Sequence, residues 1–264
     1  MVKVGGSVIT DTSKPMVARP DEIARLLTEI WGASRESGAK LILGHGSGSF
    51  GHNVAKQYRV NEGLVDGDSK KGAVLTRLAA AALDRIVIEK GVELGMAVMP
   101  FAPSSFALSS SRRIDRGIAY HIRHAISSGF IPVVYGDLMV DTEQGVSIAP
   151  TEEVFRFIAT KLRPDRIIIG TDVDGVFDSD PARNSSARLI GAVDSSNIRE
   201  VTAGAGGSNK VDVTGGMRTK VQFLYDMAVA TGARCYITNA ARPGSIAKIM
   251  KGEEADVRCT VITR

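Results

Sequence analysis

The stretch from Leu41 to His52, Leu-Ile-Leu-Gly-His-Gly-Ser-Gly-Ser-Phe-Gly-His, constrains the fold more than any other part of the chain. Its apolar lead-in reads as a buried strand. Glycine and serine dominate the residues after Leu43, so backbone N–H groups are left bare for whatever docks there. Such a loop suits an anion, and His52 closes it with a hydrogen-bond donor that is neutral or charged near physiological pH, a useful partner for a phosphate oxygen. The same residues also fit a plain strand-to-helix turn with a histidine at the helix start, and the loop alone does not choose between the two.

Other strand ends carry the same signature. Val2 to Ile9 reads as a β-like segment interrupted by Gly5, Gly6 and Ser7, and glycines inside a strand point to close approach of a ligand to the backbone. Lys3 stands just before that opening, where an ammonium group can meet the charge on a transferring phosphoryl group; a solvated strand-edge lysine is the plainer reading. Phe130 to Asp137 is a buried strand ending in Gly136-Asp137. Arg166 to Gly175 is another, with the polar exit Thr171-Asp172-Val173-Asp174-Gly175. Its two aspartates suit a turn, a metal-bound water or the orientation of lysines. Thr214-Gly215-Gly216 opens a helix running to about residue 230 as a further N-terminal anion cradle, and Lys220 sits roughly one turn in. Open α/β sheets bind ligands at the carboxyl ends of their strands, so these segments are candidate walls of one crevice.

The elements between them give the fold class. Pro20-Asp21-Glu22 starts a helix whose core face is Ile23, Leu26, Leu27, Ile30 and Trp31. Strand, helix, strand is a βαβ unit, which calls for a parallel sheet with right-handed crossovers. Lys70 to Leu94 is a long helix, Met96 to Phe101 a strand, and Ala102 to Arg116 either a disordered linker or a substrate-side flap. Gly117 to Ser127 is a short helix whose His121 and His124 have no acidic companion at ligand spacing, and no metal site is expected. Leu138 to Ile148 is a hairpin turning at Glu143-Gln144-Gly145. Thr151 is a plausible N-cap of a helix through Leu162, and since the macrodipole favours acidic residues in a first turn anyway, Glu152 is ambiguous by itself. The chain finishes as strand, short helix, strand: Arg234 to Thr238, Ser245 to Met250, Arg258 to Ile262. The expected fold is α/β, a three-layer αβα sandwich with a mainly parallel central sheet. A soft division near Pro150 separates a substrate half, 1–150, from a nucleotide half, 151–264.

Composition narrows the class of partner. The 264 residues are 44% hydrophobic, ample for a packed core. The net charge is +4, but 33 basic residues are scattered among 29 acidic ones and only 5% are aromatic, so there is no basic stripe with stacking rings and no nucleic-acid partner is expected. Cys235 and Cys259 lie in strand-like runs and read as buried free thiols in a reducing compartment. With no run of about 18 apolar residues and a chain that enters a strand at once, neither a membrane span nor a signal peptide is read, and a cytoplasmic protein is expected.

Taken together, Lys3-Val-Gly-Gly-Ser7, Gly44-His-Gly-Ser-Gly-Ser-Phe-Gly-His52, Tyr135-Gly-Asp137, Thr171-Asp-Val-Asp-Gly175 and Asp212-Val-Thr-Gly-Gly216 through Lys220 resemble the amino acid kinase superfamily over nearly the whole chain. Gly-Ser-Phe-Gly-His is most similar to the isopentenyl phosphate kinases, whose histidine at that place contacts the acceptor phosphate. The fosfomycin-modifying kinases look similar there too. The resemblance implies ATP with Mg2+ over the C-terminal half. Gly5, Gly6 and Ser7 then approach its terminal phosphates, Lys220 reaches them from its helix, and Thr171, Asp172, Asp174, Gly175, Gly215 and Gly216 border the nucleotide. It implies an isopentenyl phosphate acceptor seated on Gly46, Ser47, Gly48 and His52, with Gly136, Asp137 and Thr151 nearby and the prenyl tail in an apolar pocket. Lys3 and Lys220 supply charge, Glu152 aligns them, and the assembly is a homodimer.

Two positions depart from the family pattern. The second lysine after Gly-Gly-Ser is replaced by Thr12, with Lys14 the nearest substitute, and the family's Ser-Gly-Asp is Pro150-Thr151-Glu152. Glu152 carries an extra methylene, and Lys14 has to fold back from a loop to replace the missing charge. Two other readings therefore stand beside the first: a kinase of another small phosphate or phosphonate, and a catalytically weak nucleotide-binding protein.

Overall fold

The computed structural model describes residues 1–204 and 216–264. β1 (Val2–Val4) leads into a single helical turn, α1 (Gly6–Ile9), and then α2 (Pro20–Ser37) returns the chain to β2 (Leu43–His45). Pro20 pre-sets the first turn of α2, Asp21 and Glu22 face its positive end, and Gly38 at φ 67° ends it. α3 (Gly48–Gln57) and the long α4 (Ser69–Glu93) precede β3 (Val98–Pro100). β4 (Ala107–Ser110), β5 (Arg113–Gly117) and α5 (Tyr120–Ser127) lead to β6 (Ile131–Tyr135), β7 (Asp137–Asp141) and β8 (Gly145–Ala149). The second half runs α6 (Thr151–Leu162), β9 (Arg166–Thr171), the short β10 (Val176–Phe177), β11 (Leu189–Ile190) and β12 (Ala192–Val193). It continues through α7 (Ile198–Gly204), α8 (Gly216–Thr231), β13 (Arg234–Asn239), α9 (Ser245–Lys251) and β14 (Cys259–Ile262).

Among the described residues, eight strands form the main sheet in the order β12-β14-β13-β9-β1-β2-β6-β3, with β13 and β14 its one antiparallel pair. Side-chain alternation sorts this sheet into two faces. Val2, Val4, Ile168 and Tyr236 pack with Ile23, Leu26 and Ile30 of α2 and Ile246 of α9. Ile167, Ile169, Cys235 and Ile237 pack with Phe155 and Ile158 of α6 and Leu224 of α8. The result is the three-layer αβα sandwich. β1 lies at its centre with β2 on one side and β9 on the other, so the chain order reverses there, and the parallel strands β1, β2, β6, β9 and β13 all end on one edge.

Three local expectations are corrected. Val2 to Ile9 is not one interrupted strand, because Gly5 breaks it and the chain turns helical at Gly6. Ala102 to Arg116 is neither linker nor disordered: β4 and β5 pair and join β7 and β8 in a four-stranded sheet. Long-range bonds order that segment. Ser109 Oγ lies 2.7 Å from Ser147 Oγ, Asp141 accepts from Ser111 and Arg112 N–H, and Glu153 accepts Ile114 N–H at 2.6 Å. Thr151 is not the N-cap of α6; Pro150 holds that place, and the Thr151 hydroxyl donates instead to His45 O at 2.7 Å. Cys235 and Cys259 are buried free thiols, with burial pushing Cys235 up to about 12. Residues 205–215, among them Asp212, Thr214 and Gly215 of the expected anion cradle, lie outside the described residues.

Glu153 is fully buried and also binds Arg156 at 2.6 Å. Glu153→Ala strands the Ile114 N–H and the Arg156 guanidinium, so urea unfolding is expected to show a loss of about 2–4 kcal/mol. A loss below about 0.5 kcal/mol, the range of a neutral surface change, would show that the β4–β5 arm is held by other contacts.

Candidate functional site

Lys3 reaches the site because strand alternation turns it away from Val2 and Val4, toward the α6 face of the sheet. Its Nζ lies 2.6 Å from Glu152 Oε1, and both residues are buried. Gly44 permits this contact. It pairs in register with Lys3, and a Cβ there would lie 2.6 Å from the Phe155 ring and 3.0 Å from Thr151 Cγ2. A bare backbone at position 44 lets α6 settle on the sheet with its first turn beside Lys3. Burial alone would raise the Glu152 carboxyl, but the charges of Lys3 and Lys220 outweigh it and hold the group below the ordinary carboxylate range. Lys220, half-buried one turn into α8, thus shares the Glu152 carboxylate with Lys3 through the field. Gly216 opens that helix at φ 67°.

Two glycine loops meet beside this cluster. A Cβ on Gly6 would stand 2.3 Å from Gly48 N, one on Gly46 2.8 Å from Gly6 N, and one on Gly48 2.2 Å from Thr10 Oγ1. The backbones therefore touch with no room for a side chain. Gly48 also sits at φ 50°, a left-handed conformation that favours glycine. Thr10 stitches the seam: its hydroxyl donates to Gly6 O at 2.7 Å and accepts Ser49 N–H at 3.1 Å. On the other side Gly5 N–H donates to Gly170 O at 2.7 Å, tying the first loop to the end of β9. Ser7 lies in α1, half-buried.

Ser47 stands at the N-cap of α3 without a side-chain cap; Ser49 N–H is taken by Thr10 and Phe50 N–H by Ser47 O, whereas the N–H groups of Ser47 and Gly48 have no acceptor among the described residues. His52 lies four residues into α3, half-buried. The loop bearing Lys14 folds over the same helix start, with Met16 N–H on Ser49 O at 3.3 Å; Lys14 itself is exposed. Ser49 Oγ is buried with no hydrogen-bond partner among the described residues.

The remaining candidates surround this centre unequally. Thr151 binds the end of β2 through His45 O, and Gly136 packs against Ala149 O and Thr151 N. Asp137 is turned inward, accepting Ser104 N–H at 3.0 Å and Leu138 N–H at 2.8 Å, and burial raises its carboxyl. Thr171 donates to Val173 O at 2.8 Å and shapes the turn, which leaves Asp172 exposed. Asp174 does not orient a lysine: it holds Asn239, Arg242 and Arg258. Burial would raise its carboxyl, and these partners keep it below the ordinary range. Gly175 packs against Thr260.

A cavity of about 360 Å³ opens between α4 and the β7–β8 hairpin, lined by Leu64, Ala73, Val74, Leu78, Leu138 and Val146 together with Lys70 and Arg77. Ala55, one turn after His52, packs in the same apolar cluster as Ala73 and Val146. Sequence reasoning missed Thr10 and the pair His45–Asp84, in which Nε2 lies 3.1 Å from Oδ1. A hydroxyl just beyond Gly-Gly-Ser is a legible signal for Thr10, whereas nothing local joins His45 to a residue on α4.

A model described as the amino acid kinase family matches residues 1–239. The isopentenyl phosphate kinase of Methanothermobacter thermautotrophicus is 34% identical over 271 residues, covering 100% of this chain and 98% of its own length. Among solved structures, one described as X-ray structures of isopentenyl phosphate kinase superposes with a TM-score of 0.84 at 31% identity, covering 99% of this chain and 98% of that one. A crystal structure of the isopentenyl phosphate kinase substrate complex gives 0.78 at 28% identity, with the same coverage.

The glycine seam makes a direct prediction. Gly48→Ala places a Cβ inside Thr10 and forces a left-handed alanine, so it is expected to cost about 2–4 kcal/mol. Gly32→Ala, where nothing lies within 4 Å, should gain about 1 kcal/mol from helix propensity. Chemical denaturation of both variants checks the pair, and equal effects would refute the seam.

Proposed function

The chain belongs to the amino acid kinase family, within it to the isopentenyl phosphate kinases, and from that premise we propose that it transfers the γ-phosphoryl group of ATP to isopentenyl phosphate, giving isopentenyl diphosphate and ADP. The observation that carries this reading is the buried Lys3–Glu152 pair at the end of β1, within the field of Lys220 and flanked by two glycine loops in backbone contact. Residues 1–150 make up the acceptor half and 151–264 the nucleotide half.

Each group then has a role. Gly5, Gly6 and Ser7 approach the terminal phosphates of ATP, Lys220 reaches them from α8, and Thr171, Asp172, Asp174, Gly175, Gly215 and Gly216 border the nucleotide. Gly46, Ser47 and Gly48 seat the acceptor phosphate and His52 donates to it, with Gly136, Asp137 and Thr151 supporting the loop. The acceptor oxygen attacks the γ-phosphorus as the bond to the β-phosphate oxygen breaks and ADP leaves. A phosphate monoester is already ionised near neutral pH, so no general base is required, and positioning plus the charge of Lys3 and Lys220 carry the rate. Glu152 aligns the two ammonium groups, and Lys14 supplies charge from the loop over α3. Mg2+ bound with ATP would offset the charge of its phosphates, held by those phosphates, water and at most one or two carboxylates rather than by an all-protein cage. The described residues contain no group of three or more His, Cys, Asp and Glu side chains placed to hold an ion.

The cavity beside α4 receives the prenyl tail, because it is largely apolar and shares its packing with the helix that carries His52. The homodimer drawn from the resemblance would use surface that a single chain leaves open, such as the unpaired edge of β3 and the exposed Val92 on α4. Buried free Cys235 and Cys259 fit a reducing, cytoplasmic setting. Among the described residues, no helix is long and apolar enough to cross a membrane.

ADP release should follow addition of ATP, Mg2+ and isopentenyl phosphate, and exceed that with fosfomycin. Absence of ADP with isopentenyl phosphate and with dimethylallyl phosphate would sink the assignment. His52→Ala is expected to raise the acceptor KM or lower kcat by about tenfold or more, the scale of one lost charge-assisted hydrogen bond, while leaving ATP affinity within about twofold.

A further inference from the structure

His45 sits inside the glycine-rich motif, yet its side chain points away from Lys3 and into the protein, where it is 1% exposed. Its ring stacks on Tyr135 with centroids 5.5 Å apart and an interplanar angle of 16°. Nε2 lies 3.1 Å from Asp84 Oδ1, and Nδ1 lies 3.2 Å from the carbonyl oxygen of Gly46, the next residue. A carbonyl oxygen can only accept, so Nδ1 is the donor of that bond. Asp84 Oδ1 faces the other ring nitrogen, so the ring is held from both sides beneath the loop.

The bond to Gly46 O acts beyond the histidine. In a planar trans peptide the C=O and the following N–H point in opposite directions. Holding the Gly46 carbonyl toward the buried ring therefore aims the Ser47 N–H away from it, out of the protein interior. That N–H has no acceptor among the described residues. The peptide before it is equally fixed: Gly46 N–H donates to Val4 O at 3.0 Å, and His45 O accepts the Thr151 hydroxyl at 2.7 Å. Glycine at 46 leaves the 46–47 peptide free to rotate, so the Nδ1 contact is what selects one orientation.

We propose that His45, braced by Asp84 and Tyr135, is a positioning residue that locks the Gly46–Ser47 peptide with its N–H aimed at the acceptor phosphate. This rests on the reading that the Gly46–Gly48 loop seats that phosphate. His45 touches neither substrate; it acts through one peptide plane.

Two isosteric variants separate this role from simple packing. Asparagine at 45 keeps an amide donor near the place of Nδ1 and loses Asp84, whereas glutamine reaches toward Asp84 and loses the donor to Gly46. His45→Gln is expected to weaken inorganic phosphate binding, measured by calorimetry, and to raise the KM for isopentenyl phosphate, each about tenfold or more. The KM for ATP should stay within about twofold, and His45→Asn should stay within about threefold of the parent in every reading. In the parent protein the Ser47 amide resonance should shift when phosphate is added, and in His45→Gln it should not. Equal losses in the two variants, or the larger loss in His45→Asn, would overturn the proposal. Asp84→Asn leaves the ring in place and covers the case in which a position-45 variant does not fold: phosphate affinity should change less than about threefold, and a larger loss contradicts the positioning role. Turnover of isopentenyl phosphate by the parent protein tests the acceptor reading separately, because phosphate binding does not depend on the tail.

Discussion

The buried contact between Lys3 and Glu152 organises the rest of the molecule. Taking two charges out of water costs several kcal/mol per ion, and a pair of apolar residues in the same space would serve stability at least as well. An ion pair at the centre of the sheet is therefore explained by what it does. It holds an ammonium group fixed on β1, beside two loops of bare backbone, and under the proposed function that fixed charge meets the transferring phosphate without having to reorganise. Much of the surrounding architecture serves to let Glu152 reach Lys3: α6 must press on the sheet, and only the missing side chain at Gly44 allows it.

The departure at Glu152 takes on a physical meaning in this setting. The glutamate, where the family resemblance implies an aspartate, does not leave the lysine unmatched, since its side chain closes on Lys3 at hydrogen-bond distance and still lies in the field of Lys220. The missing lysine at Thr12 is a different matter. Its nearest substitute, Lys14, rides on an exposed loop anchored to the start of α3 by the Met16 contact. The first departure lies in the buried centre, the second on an exposed loop.

The parts of this molecule that were legible in the sequence are those whose cause is local. Short apolar runs followed by glycine marked β1, β2, β6 and β9, and the 3.6-residue stripe of Ile23, Leu26, Leu27 and Ile30 marked α2. Those strands share one direction, so the motifs at their ends had to gather on one edge. What was not legible depends on partners far apart in the chain. The 102–116 segment is serine-rich and looks unstructured, but Ser109, Ile114 and Arg112 are ordered by Ser147, Glu153 and Asp141, about thirty to forty residues away. Thr151 looked like a local cap because its hydroxyl has a choice of partners, and the nearby end of β2 won. His45 and Asp84 meet across 39 positions, and no pattern along the chain announces their contact.

The proposed function implies direct transfer from one phosphate to the other, since the loops it assigns to the two phosphates are in backbone contact and no side-chain nucleophile is needed between them. Stereochemistry at the transferred phosphorus tests this most directly. With ATP made chiral at the γ-phosphorus by oxygen isotopes and isopentenyl phosphate as acceptor, the diphosphate product should show inversion of configuration. Net retention would mean two successive displacements through a phosphorylated residue, and would contradict the account.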